Sequence, residues 1–246
     1  RYEGPHGSRE RFADYDVPGD LIDTEGDWRE NYPDYLGCCW SLDQQVSRFR
    51  AALEELKQWD NTIVIYTSDH GCHFRTRNRE YKRSCHDSSL RIPLIIRGPG
   101  FKGGMIRKEL VSLVDIPPTL LTVVRVAVPT YMAGMALQPL LNGTAEHWRE
   151  HIYAEISEDH IGRAIRTSRW KYAIRAPGGE KWSGSDRPAS DVYHEANLYD
   201  LESDPHERRN LVADPALANI RRDLRVRLLD CLVKAEGEKP EIRAAI

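Results

Sequence analysis

Two short apolar runs enclose a strongly charged segment and constrain the fold more than any other feature of this chain. The first run is TIVIYT at 62–67, and the second is RIPLIIRGPG at 91–100. Neither run alternates apolar with polar residues, which is typical of strands buried on both faces, as in a parallel sheet covered by helices. The sequence therefore predicts an α/β arrangement in which the charged segment emerges at the end of a strand.

The N-terminal part of the chain has mainly helical patterns around these two strands. Residues 1–33 are polar and favour an extended surface segment, while apolar residues at helical spacing predict a long helix from Tyr35 to Trp59. A helix over 110–124 and a loop with a short helix over 128–143 should follow. We expect residues 1–148 to form an α/β block.

Residues 149–246 differ in pattern and should form a smaller α+β block. Short, partly alternating strands predict an antiparallel sheet, interrupted by a hairpin or loop at 177–190 that is rich in Gly, Ser and Pro. An apolar stripe runs along a helix predicted over 215–235. Such a stripe needs a surface to cover, and the sheet supplies it.

The composition excludes several classes of partner. Hydrophobic residues make up 40% of the 246 residues, charged residues 30%, and the formal net charge is −3. This balance gives no overall attraction to nucleic acid. No apolar run approaches the roughly 20 residues of a membrane span. We therefore expect neither nucleic-acid binding nor a membrane span, and any anion site must be a local cluster of cations.

The cysteines leave two interpretations open. They number five, contain no C-x-x-C pair of the zinc-binding kind, and their odd count argues against a fully paired disulfide framework. Cys72 and Cys85 flank the charged segment and could form one bridge. Free thiols are the favoured interpretation.

An acid and an imidazole follow the first predicted strand directly. Ligands of open parallel sheets lie beyond the carboxyl ends of the strands, which is where Asp69 and His70 would stand. A carboxylate is a suitable ligand for Ca²⁺ or Mg²⁺, and a neutral imidazole can supply a second ligand. The alternative is that Asp69 caps the following turn and His70 packs at its edge.

The segment after this pair carries five cations against a single acid, Glu80, between positions 75 and 83. Lys and Arg are the donors that sulfate or phosphate oxygens require, and a fixed cation can stabilise charge on a leaving oxygen. A solvated loop would also account for such a charge run. Its position between two strands and next to the Asp-His pair favours an anion site.

Taken in order, these motifs resemble the type I sulfatase family of the alkaline phosphatase superfamily. DNTIVIYTSDHG at 60–71 and KRSCHDSSLRIPLIIRGPG at 82–100 are similar to the C-terminal part of that family's catalytic domain. RTSRWKYAIR at 166–175 and NLYDLESDPHERRNLVADP at 197–215 are similar to its C-terminal subdomain. The resemblance implies an alkaline-phosphatase-like mixed or parallel sheet flanked by helices, present in part. A small α+β subdomain with an antiparallel sheet and a C-terminal helix should follow it.

The resemblance also implies roles for individual residues. Asp69 and His70 match the pair that ligates the active-site divalent cation, usually Ca²⁺, with Mg²⁺ as the alternative. Lys82 matches the lysine that contacts the substrate sulfate and helps to stabilise the leaving group. The family's loop varies after the Asp-His pair, and the residues there could face a polyanionic substrate or belong to the surface: His73, Arg75 and Arg77.

The chain departs from the family pattern in its nucleophile. No Cys or Ser begins C/S-x-P-x-R, the pattern in which the family forms its formylglycine, and the paired aspartates that follow the family's first strand are absent. The chain therefore resembles the second half of a sulfatase whose nucleophile half lies outside it. His86 and Asp87 stand where the family often has an aromatic residue and an acid, and we interpret them as structural.

Three functional hypotheses follow. The first is a sulfuric-ester hydrolase that uses a divalent cation and a formylglycine, the latter outside this chain. Its substrate would be a sulfated small molecule or glycan, and its partner the missing N-terminal half of the catalytic domain. The second is a non-catalytic anion-binding fragment or pseudoenzyme. The third is a phosphate or phosphonate ester hydrolase of the same superfamily. The resemblance further implies a periplasmic or secreted location.

Overall fold

A computed structural model describes residues 2–101, 103–178 and 189–245. The predicted hairpin or loop at 177–190 lies largely outside the described residues. The helices are α1 (Ser8–Arg11), α2 (Trp28–Glu55), α3 (Asp87–Leu90), α4 (Ile116–Val123), α5 (Gln138–Leu141) and α6 (Ala218–Glu236). The strands are β1 (Val64–Thr67), β2 (Leu94–Arg97), β3 (His151–Ile156), β4 (Gly162–Thr167), β5 (Trp170–Arg175), β6 (Val192–Asp200) and β7 (Glu241–Arg243).

The two apolar runs form strands β1 and β2, which pair with each other. The pairing is antiparallel, with Val64 opposite Arg97 and Thr67 opposite Leu94. The mixed α/β class is confirmed; the apolar runs are typical of a parallel sheet, but within the described residues β1 and β2 form an antiparallel pair. The connection between them, residues 68–93, contains only the single-turn helix α3 and no longer crossover helix, and it returns the chain antiparallel.

Helix α2 begins earlier than its apolar spacing predicted. Trp28 is its first residue, and Pro33 lies inside it, so the proline does not mark the start of the helix. Trp28 is buried with Leu21 and Phe74, and this small core draws in part of the segment predicted to be an extended surface. The additional turns form because they bury an aromatic face, which residue propensity alone does not report.

The C-terminal sheet follows the predicted pattern closely. Strands β3 to β6 are antiparallel neighbours in chain order, and β7 pairs with β6 in parallel. The short strand β7 was not predicted. Helix α6 covers one face of the sheet, and the predicted stripe is buried there at Leu224, Leu228 and Leu232. The division of the chain near residue 148 remains a prediction.

Two further expectations concern the cysteines and the membrane. Each of the five cysteines is free, so Cys72 and Cys85 are not bridged and the thiol interpretation is confirmed. Among the described residues, no helix has the length and apolar character needed to cross a bilayer.

The contact between α6 and the sheet should dominate the stability of the C-terminal block. Leu228 is completely buried, so Leu228→Ala should lower the free energy of unfolding by about 3 kcal/mol through lost contacts and a residual cavity. Val226, two residues earlier on the same helix, is 54% exposed, and Val226→Ala should change it by less than about 0.5 kcal/mol. Urea denaturation followed by circular dichroism measures both values. Similar losses from the two variants would contradict the packing described here.

Candidate active site

Asp69 and His70 stand just beyond the end of strand β1. The Asp69 side chain is 81% exposed, and its Oδ2 lies 3.4 Å from His70 Nε2. Its other oxygen, Oδ1, accepts a hydrogen bond from the backbone N–H of His70 at 3.0 Å. Slight burial acts to raise the pKa of Asp69, but the interaction with His70, two backbone hydrogen bonds and the charge of Lys82 outweigh it and lower the pKa. The pair therefore presents an ionised carboxylate next to an imidazole.

The hydrogen bonds of His70 define which of its nitrogens carries the proton. Nδ1 lies 2.8 Å from the carbonyl oxygen of Gly71, and a carbonyl can only accept, so Nδ1 carries hydrogen. Nε2 lies 2.8 Å from Nζ of Lys82, which as an ammonium can only donate. Nε2 therefore carries the lone pair, which accepts from Lys82 here; a metal ion bound at Nε2 would displace that hydrogen bond.

Lys82 reaches this position from twelve residues further along the chain. Its ammonium contacts His70, and Asp69, His70 and Lys82 all line one cleft with a volume of about 1260 Å³. Strands β2 and β3 and residues 103–113 form other parts of the cleft wall. The structure thus brings together an anionic oxygen, a neutral imidazole nitrogen and a cation, the three groups predicted to act together.

The arginine that follows Lys82 is held by acids. Arg83 forms ion pairs with the carboxylates of Glu80 and Glu158. Glu158 lies in the connection between β3 and β4, so the ion pair joins the charged loop to the C-terminal sheet. The charge of Arg83 is thereby balanced, which leaves Lys82 as the cation beside the Asp-His pair.

Two of the residues predicted to face a substrate are engaged within the protein. The Arg75 guanidinium lies over the ring of Tyr81, and its Nε is 3.5 Å from Asp27. Arg77 donates hydrogen bonds from its two terminal nitrogens to the carbonyl oxygens of residues 206 and 207, each at 2.7 Å. Arg77 therefore fastens the loop to the C-terminal segment, and the structure does not bring it to the cleft.

His73, the third residue of that group, is completely buried. Neither of its ring nitrogens has a hydrogen-bond partner among the described residues. Burial lowers the pKa of His73 to about 4, and the charge of Arg77 adds to the effect while Asp159 and Asp27 oppose it. A neutral, enclosed imidazole of this kind belongs to the packing of the loop and does not reach a substrate in this structure.

A buried cluster of charges next to the site had no counterpart in the sequence analysis. Lys171 is completely buried on β5 and forms ion pairs with Asp87 and Glu207. Arg166 on β4 contacts both carboxylate oxygens of Asp87 at 3.1 Å. The lysine lies in an alternating strand, and this pattern was the available signal that its side chain faces away from α6. Asp87 has the structural character expected of it.

The donor set suits a hard divalent cation in part. A carboxylate oxygen and the unprotonated Nε2 lie 3.4 Å apart, so Asp69 and His70 would be the two ligands from this chain. Among the described residues, no third His, Cys, Asp or Glu joins them to complete a site. A cation held here would need further ligands from outside the described residues.

Comparison with known proteins gives consistent matches. The family model described as Sulfatase matches residues 2–126, and the model described as N-sulphoglucosamine sulphohydrolase, C-terminal, matches residues 79–234. Human arylsulfatase K is 33% identical over 187 residues, which is 72% of this chain and 32% of that protein. The chain thus spans about a third of the length of the curated arylsulfatases that it matches.

Solved structures match over most of the chain. The complex of BT4656 with its substrate D-glucosamine-2-N,6-O-disulfate has a TM-score of 0.73 at 26% identity and covers 89% of this chain and 44% of its own. The phosphonate monoester hydrolase of Agrobacterium radiobacter has a TM-score of 0.69 at 27% identity and covers 85% of this chain and 42% of its own.

The burial of His73 predicts an acid-sensitive loop. Its pKa is about 4 in the folded chain, against about 6.5 for an unperturbed histidine, so between these pH values the unfolded chain binds more protons. The free energy of unfolding should therefore fall by up to about 1.4 kcal/mol per pH unit, from this group alone, as the pH drops from about 6.5 to 4.

The variant His73→Leu removes this group and should flatten that dependence. Urea denaturation of both proteins at intervals between pH 8 and pH 4 measures the difference. Parallel stability curves for wild type and variant would show that His73 does not titrate as its burial requires.

Proposed function

Because this chain belongs to the sulfatase family, we propose that it forms part of the catalytic domain of a sulfuric-ester hydrolase. The observation that carries the proposal is the contact between Lys82 and His70, at 2.8 Å, with the carboxylate of Asp69 beside it. These groups combine a cation for sulfate oxygens with two ligands for a divalent metal.

Lys82 is the residue that we assign to the substrate. Its ammonium lies on the cleft and has three donors, of which His70 occupies one here, so it can donate hydrogen bonds to the oxygens of a sulfate group. Held in this place, the charge also stabilises negative charge that develops on the leaving oxygen. The backbone carbonyl of Gly71 accepts from Nδ1 and orients the His70 ring, so Nε2 carries the lone pair, which a bound cation would take over from Lys82.

Asp69 and His70 would hold a divalent cation, and we propose Ca²⁺, with Mg²⁺ as the alternative. Such a cation supplies positive charge that neutralises the sulfate oxygens. The nucleophile of this reaction, a formylglycine formed within C/S-x-P-x-R, has no counterpart in the 246 residues. We propose that it lies in the remaining part of the catalytic domain, outside this chain.

A sulfated sugar is the substrate class that the comparisons favour. The solved neighbour BT4656 was captured with a glucosamine disulfate, and this likeness supports a sulfated glycan or a related small molecule for our chain. The phosphonate monoester hydrolase neighbour supports a second candidate, a phosphate or phosphonate ester. Turnover of matched aryl sulfate and aryl phosphate substrates by a complete catalytic domain distinguishes the two. Absence of turnover with both would favour a non-catalytic anion-binding protein.

The exposed face of α2 supports a partner within the same domain. Phe49 is 72% exposed and Leu42 53% on this helix of 28 residues, and Leu56, directly after its last residue, is 67% exposed. Large apolar side chains exposed together mark an interaction surface. Since the chain covers a third to a half of its matched relatives, we propose that the N-terminal half of the catalytic domain covers this face.

Assembly with that half should depend on the apolar side chains of α2. When the chain is mixed with the separately produced N-terminal half, Phe49→Asp should weaken association at least about tenfold. In the assembly, a charge would replace an aromatic side chain that the partner buries. Gln44→Asp adds the same charge at an exposed polar position of the same helix and serves as the control. Analytical ultracentrifugation measures both affinities. Equal affinity for the two variants would mean that the N-terminal half does not cover Phe49.

Lys82 should matter for turnover and hardly for folding. In a complete catalytic domain, Lys82→Ala should leave the melting temperature unchanged and lower kcat/KM by about 10² or more, the scale for the loss of one preorganised donor. Arg79→Ala, in an exposed part of the same loop, should have a smaller effect. Steady-state kinetics with an aryl sulfate measure both variants. Equal and small losses of kcat/KM in the two variants would show that the loop is only a charged surface.

A further inference from the structure

The single-turn helix α3 lies between the candidate site and the C-terminal sheet. On its site side, the backbone N–H of Gly71 donates to the carbonyl oxygen of Ser89 at 2.8 Å. The hydroxyl of Ser84 lies 3.0 Å from that of Ser89, and the N–H of Ser84 donates to the carbonyl of Lys82 at 2.8 Å. The backbone next to His70 and the backbone of Lys82 are therefore both attached to α3.

The attachment at Gly71 leaves no space for movement. A Cβ atom at this position would lie 2.1 Å from the carbonyl oxygen of Ser88, so only glycine lets the two backbones approach this closely. Because the contact is tight and hydrogen-bonded, a displacement of α3 moves Gly71. The ring of His70 moves with it, since its Nδ1 donates to the Gly71 carbonyl.

The opposite side of α3 is fixed by the buried charge cluster, which comprises Asp87, Arg166, Lys171 and Glu207. The backbone N–H of Asp87 donates to Glu207 Oε2 at 2.6 Å, and its carboxylate accepts from Nζ of Lys171 at 2.5 Å. Arg166 contacts both oxygens of the same carboxylate. Two cations and two carboxylates balance each other in a site where Lys171 has no exposed surface.

We propose that the charge cluster is a positioning device, which fixes α3 and thereby holds the backbones of His70 and Lys82 next to each other at the cleft. This inference rests on the proposed function, because it assigns the cluster a role in that same site. The four residues act through α3 and are positioning residues.

The segment between β1 and α3 explains why such a device is needed. Residues 68–86 contain neither helix nor strand, so the place of the two site residues depends on tertiary contacts.

Burial acts to raise the pKa of Asp87, but the charge of Lys171 and the hydrogen bond and charge of Arg166 outweigh it and lower the pKa to about 2. The carboxylate that anchors α3 therefore stays ionised at neutral pH.

Amide hydrogen exchange of the 246-residue chain tests the positioning role without any need for turnover. In Lys171→Met, protection of the Gly71 amide should fall about tenfold more than protection of the β4 amides, because α3 loosens locally while the sheet persists. The matched control is Arg169→Met, two residues before Lys171 in the turn between β4 and β5, which removes the ion pair of a half-exposed arginine with Asp200. Arg169→Met should leave the ratio of amide protection between Gly71 and β4 unchanged.

A second variant covers the case in which Lys171→Met does not fold. Glu207→Gln keeps an acceptor oxygen for the N–H of Asp87 and removes one charge, so it should fold and shift the same ratio in the same direction. Equal loss of protection at Gly71 and in β4, in whichever variant folds, would show that the cluster only stabilises the chain and would overturn the proposal.

Kinetics in a complete catalytic domain give the functional outcome. Lys171→Met or Glu207→Gln should lower kcat/KM for an aryl sulfate about tenfold, whereas Arg169→Met should leave it unchanged. Full turnover in a variant with a loosened Gly71 amide would overturn the proposal. If the wild type itself lacks turnover, the proposed function fails, while the exchange ratio still decides whether the cluster positions the loop.

Discussion

The completely buried ammonium of Lys171 forms ion pairs with the carboxylates of Asp87 and Glu207. An ion that loses its partner in such a place costs several kcal/mol, so strand β5, helix α3 and the turn after β6 cannot separate cheaply. This constraint arises far from α3 in sequence, since Asp87 and Lys171 are 84 residues apart. The local geometry of the candidate site is thus set by the C-terminal sheet.

The loop that carries His70 and Lys82 is held on several sides by similar long-range contacts. Arg77 donates to backbone carbonyls about 130 residues away, and the Tyr81 hydroxyl donates to Asp27 at 2.7 Å. An irregular segment tethered in this way can keep a defined shape while its tip remains open to a ligand. The cationic composition of the loop therefore has two uses. Most of its arginines hold the loop in place, and Lys82 is directed into the cleft.

Some of this organisation could be predicted from sequence because it depends on local patterns. The stripe of α6 follows from helical spacing, and the end of β1 follows from the change at Thr67 from apolar to polar residues. The antiparallel pairing of β1 and β2 could not be predicted, because an apolar run does not state the direction of its partner. The same limit applies to the start of α2, where a small core around Trp28 decides the boundary.

The candidate site also combines features that the sequence predicts with features that only the structure shows. The adjacency of Asp69 and His70 is written in the sequence, but the burial of His73 is not, since a histidine between a cysteine and a phenylalanine gives no sign of which loop residues turn inward. The burial of Lys171 could not be predicted from the sequence either. Its strand alternates clearly, yet only the fold reveals that the second face of the sheet is also covered.

Strand β7 affects the order in which the chain can be completed. Strand β6 is the edge strand of the sheet until residues 241–243 pair with residues 192–194. Residues 241–243 follow α6 in the chain, so they become available only after it. Contacts between segments so distant in sequence form late, because the intervening chain must first be ordered. Until then β6 is an open edge with unpaired backbone groups, which is where strands of another chain can add. During synthesis, the C-terminal sheet is therefore exposed to misassociation until residues 241–243 have left the ribosome.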